Sequence, residues 1–317
     1  MWRGMSGGSM GTRIGIVGLG KIARDQHVPA LLGSDAFTLA ATADPRAGLP
    51  GVPHYPDLAA MLAGGPGLDA VALCTPPVGR GALAAAALAA GKHVLMEKPP
   101  GATLSEVLPL LDTAQAAGRT LFAAWHSRFA PGVEPARALL AGQAVRSVLV
   151  EWREDVRVWH PGQAWVWQPG GLGVFDPGIN ALSILTRILP GPVSLARSDL
   201  LFPANQDAPI AASLVFHGTD GMEVRAEFDW RQTGPQTWDI RVDTDAGRLV
   251  LSHGGARLVQ DGQMLVDGPA AEYAGVYGHF AGLIARGEGD VDLQPLMHVA
   301  DAFMLGRRRV VEAFVEG

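Results

Sequence analysis

Arg13-Ile14-Gly15-Ile16-Val17-Gly18-Leu19-Gly20-Lys21-Ile22-Ala23 runs from an apolar segment through a glycine turn into a helical pattern. The apolar part has the few polar interruptions of a parallel strand covered on both faces. Gly18 suits the tight turn, Gly20 leaves room for a pyrophosphate against the backbone, and the small Ala23 allows close packing of helix on strand. The amides opening the helix, at Lys21 and Ile22, would then face phosphate. Glycine turns between strand and helix also occur without ligands, so the surrounding chain decides.

That chain repeats the same alternation. FTLAATAD, LDAVALC, KHVLMEKP and TLFAAWHSRF read as further strands, separated by the Ala/Leu-rich segments DLAAMLAG, GRGALAAAALAAG and ATLSEVLPLLDTAQAAG. The pattern predicts an α/β, doubly wound Rossmann domain over residues 13–130. Asp44 ends the second strand at the spacing of a ribose-binding acid, although Asp before Pro45 also suits a plain turn. A carboxylate there accepts from a 2′-hydroxyl and repels a 2′-phosphate, which favours NAD and leaves NADP as the second choice. Cys74-Thr75-Pro76-Pro77 and Glu97-Lys98-Pro99-Pro100 close two strands on the edge where open α/β sheets bind ligands. Thr75, Pro76, Glu97 and Lys98 are therefore cofactor-side residues. A lysine in that crevice suits proton transfer.

After Phe129 the pattern changes. VRSVLVEWREDV, IAASLVFHG, MEVRAEFDW, TWDIRVDT and GRLVLS alternate apolar and polar residues, as antiparallel strands with one wet face do. They predict an α+β domain on an open, largely antiparallel sheet over residues 131–317, and such an open face suits a homodimer. MHVADAFMLGRRRVVEAFV reads as one long closing helix, with Arg307, Arg308 and Arg309 on a solvated face or at a domain contact. Residues 1–12 read as a disordered tail.

At 317 residues and 48% hydrophobic, the chain can bury a large core. A net charge of −6 gives no field for nucleic acid, and no apolar stretch reaches the length of a membrane span. One cysteine, Cys74, fits a reducing compartment, and the cytoplasm is the expected location. The nine histidines lack the spacings that hold zinc, so no metal is expected.

GIVGLGKIA, CTPP, EKPP and WHSRF, in this order and spacing, resemble the glucose-fructose oxidoreductase, inositol dehydrogenase and rhizopine catabolism family. The resemblance covers nearly the whole chain. It implies an NAD(P)-dependent oxidoreductase with Lys98 at the active site, often followed by a cis proline, which falls on Pro99. Many members carry an Asp and a His four residues apart at a helix start; here the pair is Asp176 and Asn180. An amide cannot accept a proton at pH 7, so Asn180 can only orient a hydroxyl. With EDVRVWHPGQAW and GGLGVFDPGIN, this variant resembles the family's L-arabinose and D-galactose 1-dehydrogenases, which oxidise the anomeric hydroxyl of a pyranose to a lactone.

The resemblance thus implies a sugar substrate, with Lys98, Asp176 and Asn180 catalytic and His126, Glu154, Trp159 and Trp238 holding the pyranose. Each has a plainer reading. Asp176 before Pro177 would cap a helix, His126 could make a structural hydrogen bond, and tryptophans are more often core than sugar platforms. Two other functions stay open: oxidation at another ring carbon, as in inositol dehydrogenases, and a regulatory protein that binds NAD(P) without turnover.

Overall fold

The computed structural model describes residues 11–46, 48–218, 220–269 and 271–316. Two sheets organise the chain. The first holds six parallel strands in the order β3-β2-β1-β4-β5-β6: β1 Thr12–Val17, β2 Phe37–Ala43, β3 His54–Tyr55, β4 Ala70–Leu73, β5 His93–Glu97 and β6 Leu121–Ala124. Every residue of β4 and β6 is buried, which explains their unbroken apolar character. The expected tail to residue 12 stops short, because Thr12 already pairs with Phe37 in β1; the rest of that segment, residues 1–10, lies outside the described residues.

Helices cover both faces of this sheet. Behind the glycine turn the chain makes a π-helical turn, Ala23–His27, and continues as α1, Val28–Leu32. Then come α2 Leu58–Gly64, α3 Arg80–Ala89 and α4 Leu104–Ala117. Helix α4 starts on a reciprocal Thr103–Glu106 capping box and stops at Gly118 in the left-handed region, a pairing of caps worth about 1 kcal/mol at each end.

The second sheet has nine strands in the order β14-β13-β12-β11-β7-β10-β9-β8-β15. They are β7 Val145–Arg153, β8 Val193–Pro203, β9 Ala211–Gly218, β10 Glu223–Asp229, β11 Thr237–Thr244, β12 Gly247–Ser252, β13 Arg257–Gln260, β14 Gln263–Asp267 and β15 Gly306–Val311. Two pairs, β7 with β10 and β8 with β15, are parallel and the others antiparallel, so the sheet is mixed and largely antiparallel. Strand β7 alternates half-exposed with buried residues. Its inner face packs beneath α5 Val133–Leu140, α7 Phe175–Ile188 and α9 Gln294–Met304, around Val150, Leu182, Phe216 and Val299. A short helix, α6 Val156–Trp159, leaves the end of β7. The remaining helix, α8 Glu272–Arg286, turns back to the first sheet, where Val276, Tyr277 and Phe280 pack with Ile14, Phe37 and Phe122.

The closing helix is shorter than its sequence pattern suggested. It ends at Met304, and Arg307, Arg308 and Arg309 lie on β15, an edge strand parallel to β8. Gly306 sits at the break, where a Cβ would lie 2.7 Å from the Ala302 carbonyl and 2.6 Å from the Leu200 side chain, so the turn from helix into strand needs glycine. Beyond it, Val310 and Val311 favour strand, and three arginines on an edge discourage pairing with another chain. Among the described residues no helix is long and apolar enough to cross a membrane.

Candidate active site

The carboxyl ends of β1, β2, β4 and β5 line one crevice. Gly18 has φ +88°, and a Cβ there would lie 2.8 Å from the Thr75 amide nitrogen, so both the turn and the neighbouring strand require glycine. Gly20 is different: a Cβ would meet no protein atom within 4 Å, so the protein's own packing does not demand glycine there. Room at Gly20 and a buried Thr75 hydroxyl that no described residue bonds are what a dinucleotide's phosphates and nicotinamide amide would use. The residues therefore fit the cofactor.

Asp44 does more than end β2. One carboxylate oxygen accepts the Leu19 amide at 2.9 Å and the other the Arg46 amide at 2.9 Å, so it ties the glycine turn in place. Lys21 is exposed and pairs with Asp25 one turn on, while Ile22 is half-buried; Pro76 is exposed at the crevice.

Lys98 follows β5, and its bond to Pro99 is cis. Its Nζ donates to the Asp176 carbonyl at 3.0 Å and to Asp176 Oδ1 at 3.2 Å, joining the two halves of the molecule across the crevice. Asp176 is not the cap that Asp-Pro suggested. Helix α7 starts at Phe175 with Val174 in the capping position, so Asp176 lies inside the first turn and its carboxylate points to Lys98 instead. Asn180 stands one turn further along the same helical face, half-buried.

Half-buried His126 borders a buried network centred on Glu97. Glu97 accepts from His27 Nε2 at 2.9 Å, the Tyr273 hydroxyl at 2.6 Å and the Lys98 amide at 2.8 Å, so its carboxylate is committed to the protein. Burial alone would raise its pKa, but the hydrogen bond and charge of His27, with His126 and Tyr273, bring it down to about 2. Burial likewise opposes charge on His27; Cys74, Tyr277 and the Glu97 carboxylate outweigh it and hold His27 well above its ordinary value. His126 stacks on Tyr273 at 5.2 Å. Burial, helped by the charges of Lys98 and His27 and opposed by Glu97, lowers its pKa to about 4, so its imidazole is neutral at pH 7. Arg128, next but one, is a structural tie to Ser183, Thr186 and Asp292.

On the other side, Glu154 follows β7. It accepts from Trp238 Nε1 at 2.9 Å and Trp230 Nε1 at 3.3 Å, and is buried. Trp159, 38% exposed, packs on Trp238 with ring centres 4.9 Å apart. Glu154, Trp159 and Trp238 thus form one wall, and Lys98, Asp176 and Asn180 another.

Two residues were missed by sequence reasoning. His160 joins the walls: its Nε2 is 3.7 Å from both Glu154 Oε1 and Asp176 Oδ2, and its Nδ1 is buried with no partner among the described residues. The cue was its place beside Trp159. Arg80, in GRG at the start of α3, is buried at 2% exposure and donates to three main-chain carbonyls, those of Thr75, Glu97 and Pro99. A charged residue at a helix start reads as solvated, so only its position directly behind CTPP hinted at this.

Residues 12–125 match the Gfo/Idh/MocA oxidoreductase family, described by its NAD-binding Rossmann fold. Galactose 1-dehydrogenase of Pseudomonas fluorescens is 48% identical over 304 residues, covering 96% of this chain and 99% of that protein. The chain belongs to this family. It is an oxidoreductase, and its dinucleotide is NAD(P). The crystal structure of D-galactose-1-dehydrogenase from Rhizobium etli superposes with a TM-score of 0.92 at 54% identity, covering 99% of this chain and 100% of that one. A 3-ketoreductase from Actinomadura kijaniata, solved with NADP and TDP-benzene, reaches 0.80 at 18% identity over 95% of this chain and 99% of its own, a likeness of fold.

Proposed function

We propose that this protein is an aldose 1-dehydrogenase that oxidises the anomeric carbon of a pyranose such as D-galactose or L-arabinose to the aldonolactone. The observation that carries this is the ion pair of Lys98 and Asp176 at the crevice edge, with Asn180 one turn away and a wall of Glu154, Trp159 and Trp238 opposite. The near full-length likeness to two galactose 1-dehydrogenases supports the same substrate class.

Gly18, Gly20, Lys21, Ile22, Asp44, Thr75 and Pro76 would hold the dinucleotide, which when bound supplies the acceptor for the C1 hydride. The chain's own work is the other half of the oxidation. As the C1–H bond breaks, the C1 hydroxyl must lose its proton while its oxygen becomes the lactone carbonyl. The Lys98–Asp176 pair receives that proton, and the Asn180 amide orients the hydroxyl. His126, neutral at pH 7, can both donate to and accept from the sugar. Trp159 and Trp238 cover apolar C–H faces of the ring. Asp44 sets the cofactor preference, NAD over NADP. Buried, unpaired Cys74 supports a reducing, cytoplasmic setting.

A screen of D-galactose, L-arabinose, D-fucose and D-xylose with NAD and NADP, read by formation of reduced cofactor and by hydroxamate detection of the lactone, tests this reading. Turnover of inositol with none of any aldose would overturn it.

A further inference from the structure

We propose that Arg80 is a positioning residue for the reaction: it clamps the ends of β4 and β5 together and so fixes where Lys98 stands. The proposal rests on the reading of Lys98 as the group that works at the crevice. Arg80 opens α3, yet its guanidinium reaches back to three carbonyls on two different segments. One terminal nitrogen donates to Glu97 and Pro99, the residues on either side of Lys98; the other donates to Thr75, behind β4. Lys98 is thus bracketed by carbonyls held on one nitrogen.

The arrangement costs stability in three ways. The cation is buried at 2% exposure, and no described carboxylate forms an ion pair with it. Its Nε is buried without a hydrogen-bond partner. It also sits at the N-terminus of a helix, where the macrodipole disfavours positive charge. A sequence that only had to pack α3 would place an apolar or small residue here; local rules are broken where function holds the exception. The planar fork explains the choice of arginine, because it can meet several carbonyls at fixed angles while a lysine offers one point charge.

Next to the clamp, the Pro99 loop is held from its far side. Glu106 accepts the Ala102 and Thr103 amides, and a Cβ on Gly101 would fall 2.8 Å from its carboxylate. Residues 97–103 are therefore fixed at both ends, with Lys98 between them reaching Asp176.

The test compares Arg80→Met and Arg80→Lys with wild type. The chain has only three lysines, Lys21, Lys92 and Lys98, so trinitrobenzenesulfonate labelling resolved by mass spectrometry reports on Lys98 with two internal controls. In Arg80→Met we expect Lys98 to label several-fold faster with Lys21 and Lys92 unchanged. We expect kcat to fall roughly ten- to a hundredfold, the scale of a misplaced group, with little change in the sugar KM. Arg80→Lys should fall between Arg80→Met and wild type in kcat, and it decides the matter if Arg80→Met does not fold. A folded variant with wild-type kcat overturns the proposal whatever the labelling shows. Equal acceleration at all three lysines also overturns it, since that is general loosening. Labelling needs no sugar, so a wild type that is inactive on aldoses would refute the activity reading separately.

Discussion

His160 stands 3.7 Å from Asp176, Nε2 to Oδ2, behind the carboxylate whose other oxygen faces Lys98. The same ring nitrogen lies 3.7 Å from Glu154, so one imidazole bridges the Lys98–Asp176 wall and the tryptophan wall. Where Asn180 withholds an imidazole from helix α7, the chain brings one in from the loop after α6.

Replacing His160 by Asn should therefore disturb both walls at once. With Glu154 and Asp176 both buried, the shorter amide withdraws a polar ring that faces both carboxylates. We expect kcat on the aldose to fall about tenfold and the sugar KM to rise, while NADH binding stays near wild type. Steady-state kinetics beside NADH fluorescence titration checks this. A change confined to KM would confine His160 to sugar binding.

Asp44→Ser should shift cofactor preference toward NADP by about tenfold, because one negative charge leaves the neighbourhood of the 2′ position. The bonds to the Leu19 and Arg46 amides add a second expectation: one hydroxyl cannot replace both, so stability should drop by about 1 kcal/mol. The measurements are kcat/KM with each cofactor and the melting temperature. Wild-type preference for NADP would show that Asp44 does not meet the ribose.

Glu97→Gln should uncover the buried His27–Glu97 pair. Glu97 is depressed from 4.5 to about 2, so its contribution is present above pH 4.5 and is lost as pH falls toward 2. His27 is raised above 6.5, so its contribution is full below pH 6.5 and is lost as pH rises through the raised value. Both hold between these limits. There the variant should be less stable by about 3 to 5 kcal/mol, since a buried imidazolium loses its partner. The gap in melting temperature should narrow as pH falls below 4.5. A gap independent of pH would mean that no charge pair exists.

Legibility from sequence followed how directly each residue's surroundings are local. β1, β2, β4, β5 and β6 are apolar on both faces, and CTPP and EKPP stop two of them at the crevice, so strand pattern and crevice residues were readable together. Strands β8, β13 and β14 were not read: β8 carries an irregularity between Leu195 and Arg197 that breaks the period, and β13 and β14 are short and partly exposed. α9 and β15 read as one helix because nothing in RRRVV reveals the β8 edge that it completes. Arg80 and His160 owe their roles to partners far along the chain, at Glu97, Pro99 and Asp176, and no spacing rule connects them. For Asp176 the sequence offered two readings, a helix cap and a polar group on one helical face with Asn180; the cap fails because Val174 holds that position with no side-chain cap bond, and the carboxylate turns to Lys98 instead.

The comparison of Asp176→Asn with Lys98→Ala separates a proton-handling pair from a structural tie. Asn keeps the shape of Asp and can still accept from Lys98 Nζ, and because Asp176 is not the cap of α7 its replacement removes no capping bond. Its main-chain carbonyl, the second acceptor for Lys98, is untouched. Asp176→Asn should therefore melt close to wild type yet lose about two orders of magnitude in kcat, because the pair loses its negative member. Lys98→Ala should lose a similar factor and also strand a buried carboxylate, so its melting temperature should fall further. If the two groups act as one unit, the double variant should be little slower than either single one. Multiplying losses would mean that each acts alone, and near wild-type turnover by Asp176→Asn would leave Lys98 to take the C1 proton without it.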